Sequence, residues 1–199
     1  MRMFRGLGAL CLALAAVSAS AGSVSAYGQS DSTAMKTTVV HVQPFAKSGG
    51  LAAGYVVAGT AKGYCWTTSD STSRSDAFRC LVGNSLFDPC FSSPSGKKVA
   101  CPGGANLTHV ILIKLTRKLP HPQVGGKPRS WQLQLSGGAT CRFDTGATFI
   151  LHGLRANFDC SNKWFLFGHA ATSHQPWKIR WGKGANGKLK WTGIAIAYF

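Results

Sequence analysis

The sequence predicts an all-β protein, either a sandwich or a small barrel of about eight antiparallel strands. Short apolar segments recur at intervals of roughly 8–15 residues and are joined by glycine-rich turns, which is typical of these architectures. Glycine supplies 24 of the 199 residues. Trp131–Leu135 alternates strictly between apolar and polar side chains, as a half-buried strand does, and Gly137-Gly138 permits a tight hairpin after it.

One segment, near residues 74–82, predicts a short helix. Phe78, Leu81 and Val82 are spaced as one apolar helical face. Asp76 falls in the predicted first turn, and Gly83 can end the helix in a left-handed conformation. The sequence therefore predicts a β-rich fold with a single short helix.

The charge balance is strongly basic and lacks glutamate. The chain has 22 Lys and Arg residues against 6 acidic residues, all of them Asp, and a formal net charge of +16. This composition excludes an acidic disordered protein, a Glu-rich coiled coil and any mechanism that needs a glutamate. An unbalanced positive charge favours anionic partners.

The N-terminal residues are typical of an export signal. Arg2 and Arg5 precede an apolar run over residues 6–17, which is shorter than the about 20 residues that span a bilayer. Small residues offer cleavage after Ala21 or Ala26, and we favour the second site. We expect a signal peptide over residues 1–26, a flexible lead-in over 27–36 and a single domain over 37–199. Loss of Arg2 and Arg5 would lower the formal net charge from +16 to +14.

The cysteines predict a disulfide framework in an extracellular protein. Of seven cysteines, Cys11 lies in the leader, which leaves an even number in the exported chain. The sequence contains no Cys-x-x-Cys pair, the spacing that is typical of a zinc site. We expect neighbours along the chain to pair, because the intervening segments are short. The predicted pairs are Cys65–Cys80, Cys90–Cys101 and Cys141–Cys160.

The segment from Cys65 to Phe91 carries a resemblance to a known group of proteins. It contains Cys-Trp, then Arg-x-Asp-Ala-Phe-Arg-Cys, then Gly-Asn, then Asp-Pro-Cys-Phe. This string resembles one in a group of secreted, disulfide-bonded bacterial proteins with no known activity, over about residues 60–199. The resemblance implies an exported bacterial protein and implies no catalytic role.

Polar residues of the same segment form a candidate pocket. Its members combine two carboxylates with cations and an amide: Arg74, Asp76, Arg79, Asn84 and Asp88. If the protein is an enzyme, Asp76 and Asp88 are the best acid and base for hydrolysis of a glycan or nucleic acid. The alternative is that these side chains satisfy turns and caps, and we favour that structural role.

The C-terminal hairpin is the best candidate for binding. Its cations are Lys178, Arg180, Lys183, Lys188 and Lys190. Alternation would place these cations on one face, opposite Trp177, Trp181 and Trp191. Such a face suits an anionic polymer such as teichoic acid, an acidic polysaccharide or a nucleic acid.

These observations favour a secreted, non-enzymatic domain that binds an anionic polymer or surface. A secreted hydrolase and a protein-binding toxin or inhibitor are the alternatives. The six histidines are scattered without ligand spacing, so we expect neither a metal nor a cofactor. No apolar run after residue 26 predicts a transmembrane segment.

Overall fold

The computed structural model describes residues 36–104, 106–122, 126 and 129–199. Within these residues there are 13 strands and no helix, which confirms the all-β prediction. The predicted signal peptide, and the predicted lead-in apart from Lys36, lie outside the described residues.

The first part of the fold is a closed barrel of five strands. Its strands are β2 (Val56–Thr68), β3 (Ala77–Val82), β4 (Ser85–Ser92), β5 (Lys98–Pro102) and β6 (His109–Leu115). Each strand runs antiparallel to the next, and β2 and β6 close the ring as a parallel pair. Gly63 of β2 belongs to this parallel pair, and a Cβ atom at this position would collide with the carbonyl oxygen of Leu81. Only glycine therefore allows β2 to approach β3 this closely.

A second barrel follows along the chain. Its six strands are β7 (Gln132–Leu135), β8 (Thr140–Phe143), β10 (Leu154–Cys160), β11 (Phe165–Ala171), β12 (Lys178–Gly182) and β13 (Lys190–Tyr198). All neighbours are antiparallel, and β13 pairs with β7 to close the ring. Two short strands attach outside it: β1 (Thr38–Val40) runs parallel to β13, and β9 (Ile150–Leu151) pairs with β10. Leu133, Leu166, Ile179 and Ile194 fill its core and are fully buried.

The two barrels share one hydrophobic cluster. Phe91 of β4 and Trp131, just before β7, are almost completely buried, with ring centroids 6.2 Å apart. Val42 belongs to the same cluster, and its carbonyl oxygen accepts a hydrogen bond from Arg74. Arg74 also donates to the carbonyl oxygen of Phe199, at 3.2 Å. Apolar packing and a shared guanidinium thus join the barrels.

The predicted helix near residues 74–82 is wrong. Ser75 and Asp76 form a turn, and Ala77–Val82 is strand β3, hydrogen-bonded between β2 and β4. Apolar residues at helical spacing also suit a strand that is covered on both faces, and here the neighbouring strands decide the conformation. Gly83 does end the segment, with φ +56°, but in a hairpin turn.

The predicted antiparallel sandwich or barrel is correct only in its coarse outline. Both sheets close into barrels, and there are more strands than the about eight we expect from the sequence. The pairs β1–β13 and β2–β6 are parallel, which local sequence does not reveal. The three disulfides join Cys65 to Cys80, Cys90 to Cys101 and Cys141 to Cys160, as predicted. Each disulfide links two adjacent antiparallel strands.

Candidate functional site

The C-terminal hairpin presents only part of the predicted cationic face. Lys178 and Arg180 are exposed on the outer side of β12, whereas Ile179 between them is buried. Lys183 and Lys188 are exposed in the segment between β12 and β13. The hairpin therefore displays two cations on the outer side of β12 and two in the loop, with exposed Lys190 on the other side of the hairpin.

The prediction that all five cations share a face opposite the tryptophans is wrong. Lys190 pairs with Trp181, on the inward side of the hairpin, and Trp191 pairs with Arg180, on the outward side. Trp191 is 54% exposed, and the Arg180 guanidinium lies 5.2 Å from its ring centroid. A shift of one residue in register exchanges the two faces of a strand, and alternation alone does not fix that register.

An aromatic stack covers one end of the second barrel. Trp164 and Trp181 lie parallel, with centroids 3.8 Å apart and an interplanar angle of 11°. The ammonium of Lys190 lies 5.8 Å from the Trp181 centroid. Both tryptophans pack against the barrel core, so Lys190, although exposed, lies beside this stack and not on the outer side of the hairpin with Lys178 and Arg180.

A row of lysines crosses the first barrel, and the sequence analysis missed it. Lys62 of β2 pairs with Lys114 of β6, and Lys114 pairs with Lys98 of β5. Paired residues of adjacent strands point to the same side of a sheet. Ile113 and Val99 beside them are fully buried, so the three lysines point outward. We call Lys62, Lys98 and Lys114 the lysine row.

In the part of the chain that the structure describes, no carboxylate forms an ion pair with the lysine row. The two ion pairs among the described residues are Arg74–Asp76 and Arg79–Asp70. Like charges at directly paired positions of a sheet repel each other and lower stability. The row is therefore a site where the fold holds positive charges together against their repulsion.

An apolar depression borders the lysine row. It has a volume of about 320 Å³ and is lined by Thr60, Ala61 and Leu112, with Lys97, Lys98 and Lys114 around it. Lys98 also lies over the ring of Phe45, 5.6 Å from its centroid. The surface thus combines uncompensated cations with a shallow apolar floor.

Aromatic rings contact many of the cations of this protein. Nine Lys or Arg side chains lie over aromatic rings in the described residues. Since acids are scarce, ring faces supply part of the stabilisation that carboxylates supply elsewhere. The three members of the lysine row contribute only one of the nine contacts, through Lys98.

The predicted polar pocket is not one site. Asp76 holds Arg74 through both carboxylate oxygens, at 2.8 and 2.6 Å. Arg79 pairs with Asp70, and its guanidinium lies 5.7 Å from the centroid of Trp66. Asn84 is exposed in the turn between β3 and β4, at the opposite end of that hairpin from Asp76. Arg74, Asp76 and Arg79 are thus each held by a structural partner.

Asp88 has a different set of partners, on the segment that follows β2. The Ser69 hydroxyl donates to its Oδ1, the Ser71 hydroxyl donates to Oδ1 at 2.9 Å, and the Asp70 N–H donates to Oδ2 at 3.0 Å. Burial raises the pKa of Asp88, and the hydrogen bonds partly oppose that effect. Asp76 and Asp88 therefore do not form a catalytic pair in this structure.

Arg142 of β8 lies near Asp88 at the junction of the two barrels. Burial lowers the pKa of its guanidinium, and the negative charge of Asp88 acts in the opposite direction. The guanidinium also lies 5.6 Å from the centroid of Trp131. The junction thus contains a partly buried cation and a partly buried acid on opposite barrels.

The end of the second barrel opposite the Trp164–Trp181 stack carries a cavity of about 570 Å³. Its apolar lining is formed by Phe143, Phe158, Ala170, Trp177 and Phe199. Its polar lining is formed by Arg129, Ser130, His169 and Thr172. Strands β8, β11 and β13 end here and β7 and β12 begin here, so the cavity lies at the mouth of the barrel.

Among the described residues, no group of three or more His, Cys or Asp side chains could hold a metal ion. The same part of the chain contains no helix long and apolar enough to cross a membrane. The three disulfides are compatible with an extracellular protein.

Comparisons with protein-family models, with curated proteins and with solved structures gave no match to this chain. The resemblance of the segment from Cys65 to Phe91 to secreted bacterial proteins therefore stays a prediction.

Proposed function

We propose that this protein is a secreted, non-enzymatic bacterial domain that binds an anionic polymer through the lysine row. The pairing of Lys62, Lys114 and Lys98 on three adjacent strands is the observation that carries this proposal. The N-terminal sequence and the disulfides support export.

The electrostatics of the row explain why a polymer is the expected ligand. Adjacent strands lie about 4.8 Å apart, so flexible lysine side chains on three strands can reach successive charges of a polyanion. Binding relieves the repulsion among the three ammonium groups and releases condensed counterions from the polymer. The depression beside the row offers Leu112 and Ala61 to the less polar part of a repeating unit, such as a sugar ring.

The hairpin with Lys178, Arg180 and Lys183 is the second candidate surface for the same function. Its exposed Trp191 gives it a stacking platform that the row lacks. A ligand that needs stacking, such as single-stranded nucleic acid, would prefer the hairpin over the row.

A hydrolase remains the alternative function, and one observation favours it. The raised pKa of Asp88 is the property that a general acid needs. Three hydrogen bonds occupy its carboxylate, and the best second acid, Asp76, is held by Arg74. We therefore assign Asp88 a structural role. The third hypothesis, a protein-binding toxin or inhibitor, gains no support from these contacts.

Two triple variants with the same loss of charge test the proposal. One is Lys62→Gln/Lys98→Gln/Lys114→Gln in the row, and the other is Lys178→Gln/Arg180→Gln/Lys183→Gln in the hairpin. Affinities for heparin, teichoic acid and single-stranded nucleic acid are measured over a range of salt concentrations. A cation near an anionic surface contributes about 1 kcal/mol. We expect the row variant to lose about 100-fold in affinity at low salt, and the hairpin variant to lose much less.

Equal losses in both variants would mean that binding follows net charge and not the row. A wild-type protein that binds none of the three polymers at low salt would refute the function itself. Hydrolysis of any polymer that disappears in Asp88→Asn, with folding intact, would favour the alternative.

A further inference from the structure

We infer that the mouth of the second barrel binds a small organic anion with a flat, apolar body, such as an aromatic carboxylate. This site is independent of the lysine row, which lies on the other barrel. The cavity of about 570 Å³ is within the range of small-molecule sites, about 300–1,000 Å³.

Aromatic side chains form the walls of the cavity. Phe143 and Phe158 meet edge to face at 5.4 Å, and Trp177 and Phe199 meet edge to face at 6.4 Å. Three of these four residues pack against the barrel core, and the fourth, Phe158, belongs to it. The walls are therefore held in place before a ligand arrives, and they favour a flat body that can pack against rings.

A cation lies at the rim of the same cavity. The Arg129 guanidinium lies 5.6 Å from the centroid of Phe143, so it borders the aromatic wall directly. Within the described residues, this guanidinium donates one hydrogen bond, to the backbone oxygen of Asp70 at 3.2 Å. His169 and Ser130 add polar groups to the rim. Arg129 can thus form a charge-assisted hydrogen bond to an anion above the aromatic floor.

The surrounding charges favour an anion over a cation. No carboxylate side chain occurs in the described lining of the cavity. Asp70, which touches Arg129 through its backbone, has its side chain paired with Arg79. The backbone oxygen of Phe199 accepts hydrogen bonds from Arg74 and from the Val42 N–H. The Arg155 guanidinium, 5.6 Å from the Phe143 centroid, lies outside this lining and donates to Asn157 and to the backbone oxygens of Asp144 and Gly146.

The test compares an acid with its neutral amide on the full chain. Affinities for 2-naphthoate and 2-naphthamide are measured by calorimetric titration for the wild type, Arg129→Gln, Arg180→Gln and Ala170→Leu. We expect the wild type to prefer the acid by about tenfold or more, because the carboxylate brings a full negative charge to the guanidinium whereas the amide offers only a neutral carbonyl oxygen. Arg129→Gln should abolish this preference by weakening the acid much more than the amide, whereas the distant control Arg180→Gln should change neither affinity.

Ala170→Leu narrows the cavity and should weaken both ligands. Three results would overturn the inference: no binding of 2-naphthoate at millimolar concentration, equal affinities for acid and amide, or a preference that survives Arg129→Gln. Failure of this test leaves the polymer titrations unaffected, because none of the row or hairpin variants that those titrations compare changes a residue of the cavity.

Discussion

Lys62 and Lys114 occupy directly paired positions on the parallel strands that close the first barrel, and both ammonium groups point to solvent. Lys98 extends the same row on the other side of Lys114. Repulsion among these charges lowers the stability of the fold, so the lysine row is a candidate binding site.

Removal of the central charge should stabilise the protein. Lys114 has a cation on each side, and each like-charged pair costs up to about 1 kcal/mol. We expect Lys114→Thr to raise the free energy of unfolding by about 0.5–1 kcal/mol at low salt, with the gain shrinking at high salt as the charges are screened. Urea denaturation at both salt concentrations measures this.

Lys178→Thr is the matched control for this prediction. It makes the same substitution at an exposed strand position, but its partner across the pair is Gly193 and not a cation. An equal gain in Lys178→Thr would show that threonine simply suits strands better, and that repulsion in the row is negligible.

Asp88 should make the stability depend on pH. Because burial raises its pKa above the ordinary value of 3.8, the folded protein keeps a proton that the unfolded chain has already lost. Its contribution to the free energy of unfolding is therefore full below 3.8 and is lost as pH rises through the folded pKa. Asp88→Asn should flatten the stability profile in this window, in denaturation curves taken at successive pH values.

Asp88→Asn should also cost about 1–3 kcal/mol through a hydrogen-bond donor left without a partner, a loss separate from the pH-dependent effect. The amide keeps one acceptor oxygen, so a hydroxyl or the Asp70 N–H loses its partner. Asp159→Asn is the control, because Asp159 is exposed and no hydrogen bond to its side chain occurs among the described residues. A pH profile of Asp88→Asn identical to that of the wild type would contradict the burial of the charge.

Trp131 and Trp191 should differ sharply in their contribution to the free energy of unfolding. Trp131 is 1% exposed and packs on Phe91 at the barrel junction, whereas Trp191 is 54% exposed. We expect Trp131→Ala to lower the free energy of unfolding by about 3–5 kcal/mol. Trp191→Ala should change it by less than about 0.5 kcal/mol. Thermal and urea unfolding of both variants check this, and comparable losses would contradict the hairpin register.

Loss of the disulfide in the second barrel should be costly. Cys141 and Cys160 are separated by 19 residues and lie on paired strands. In the chain-entropy account, a loop of this length is worth about 3 kcal/mol. Cys141→Ala/Cys160→Ala should lower the free energy of unfolding by about that amount, and reduction of the wild type should cost at least as much. Unchanged stability after complete reduction would be inconsistent with a structural role.

The sequence predicts local hairpins better than the strand pairs that close the two barrels. Alternation at Trp131–Leu135 and the Gly137-Gly138 turn identify the β7–β8 hairpin, since both signals lie within one short segment. The spacing of Phe78, Leu81 and Val82 misleads, because β3 is covered on both sides and loses strand alternation. Pairing across the chain, as in β2–β6, depends on contacts that no local pattern encodes.

Candidate sites, too, can be predicted from the sequence only where their residues lie close together along the chain. Lys178 and Arg180 can be found because they alternate along one strand. The lysine row takes one residue from each of three strands, so it exists only once the barrel has closed. The cavity at the mouth of the second barrel is likewise lined by residues from strand ends that are far apart in sequence.

The closure of the second barrel by β13 has a kinetic consequence. This strand pairs with β7, β12 and β1, so the ring stays open until the last described segment of the chain has joined it. An intermediate without β13 would expose the backbone edges of β7 and β12, which can pair with other chains. Folding that relies on such distant pairings is slow, in the range of milliseconds to seconds. Refolding yield should therefore fall as protein concentration rises, and the yield lost should appear as β-rich aggregates.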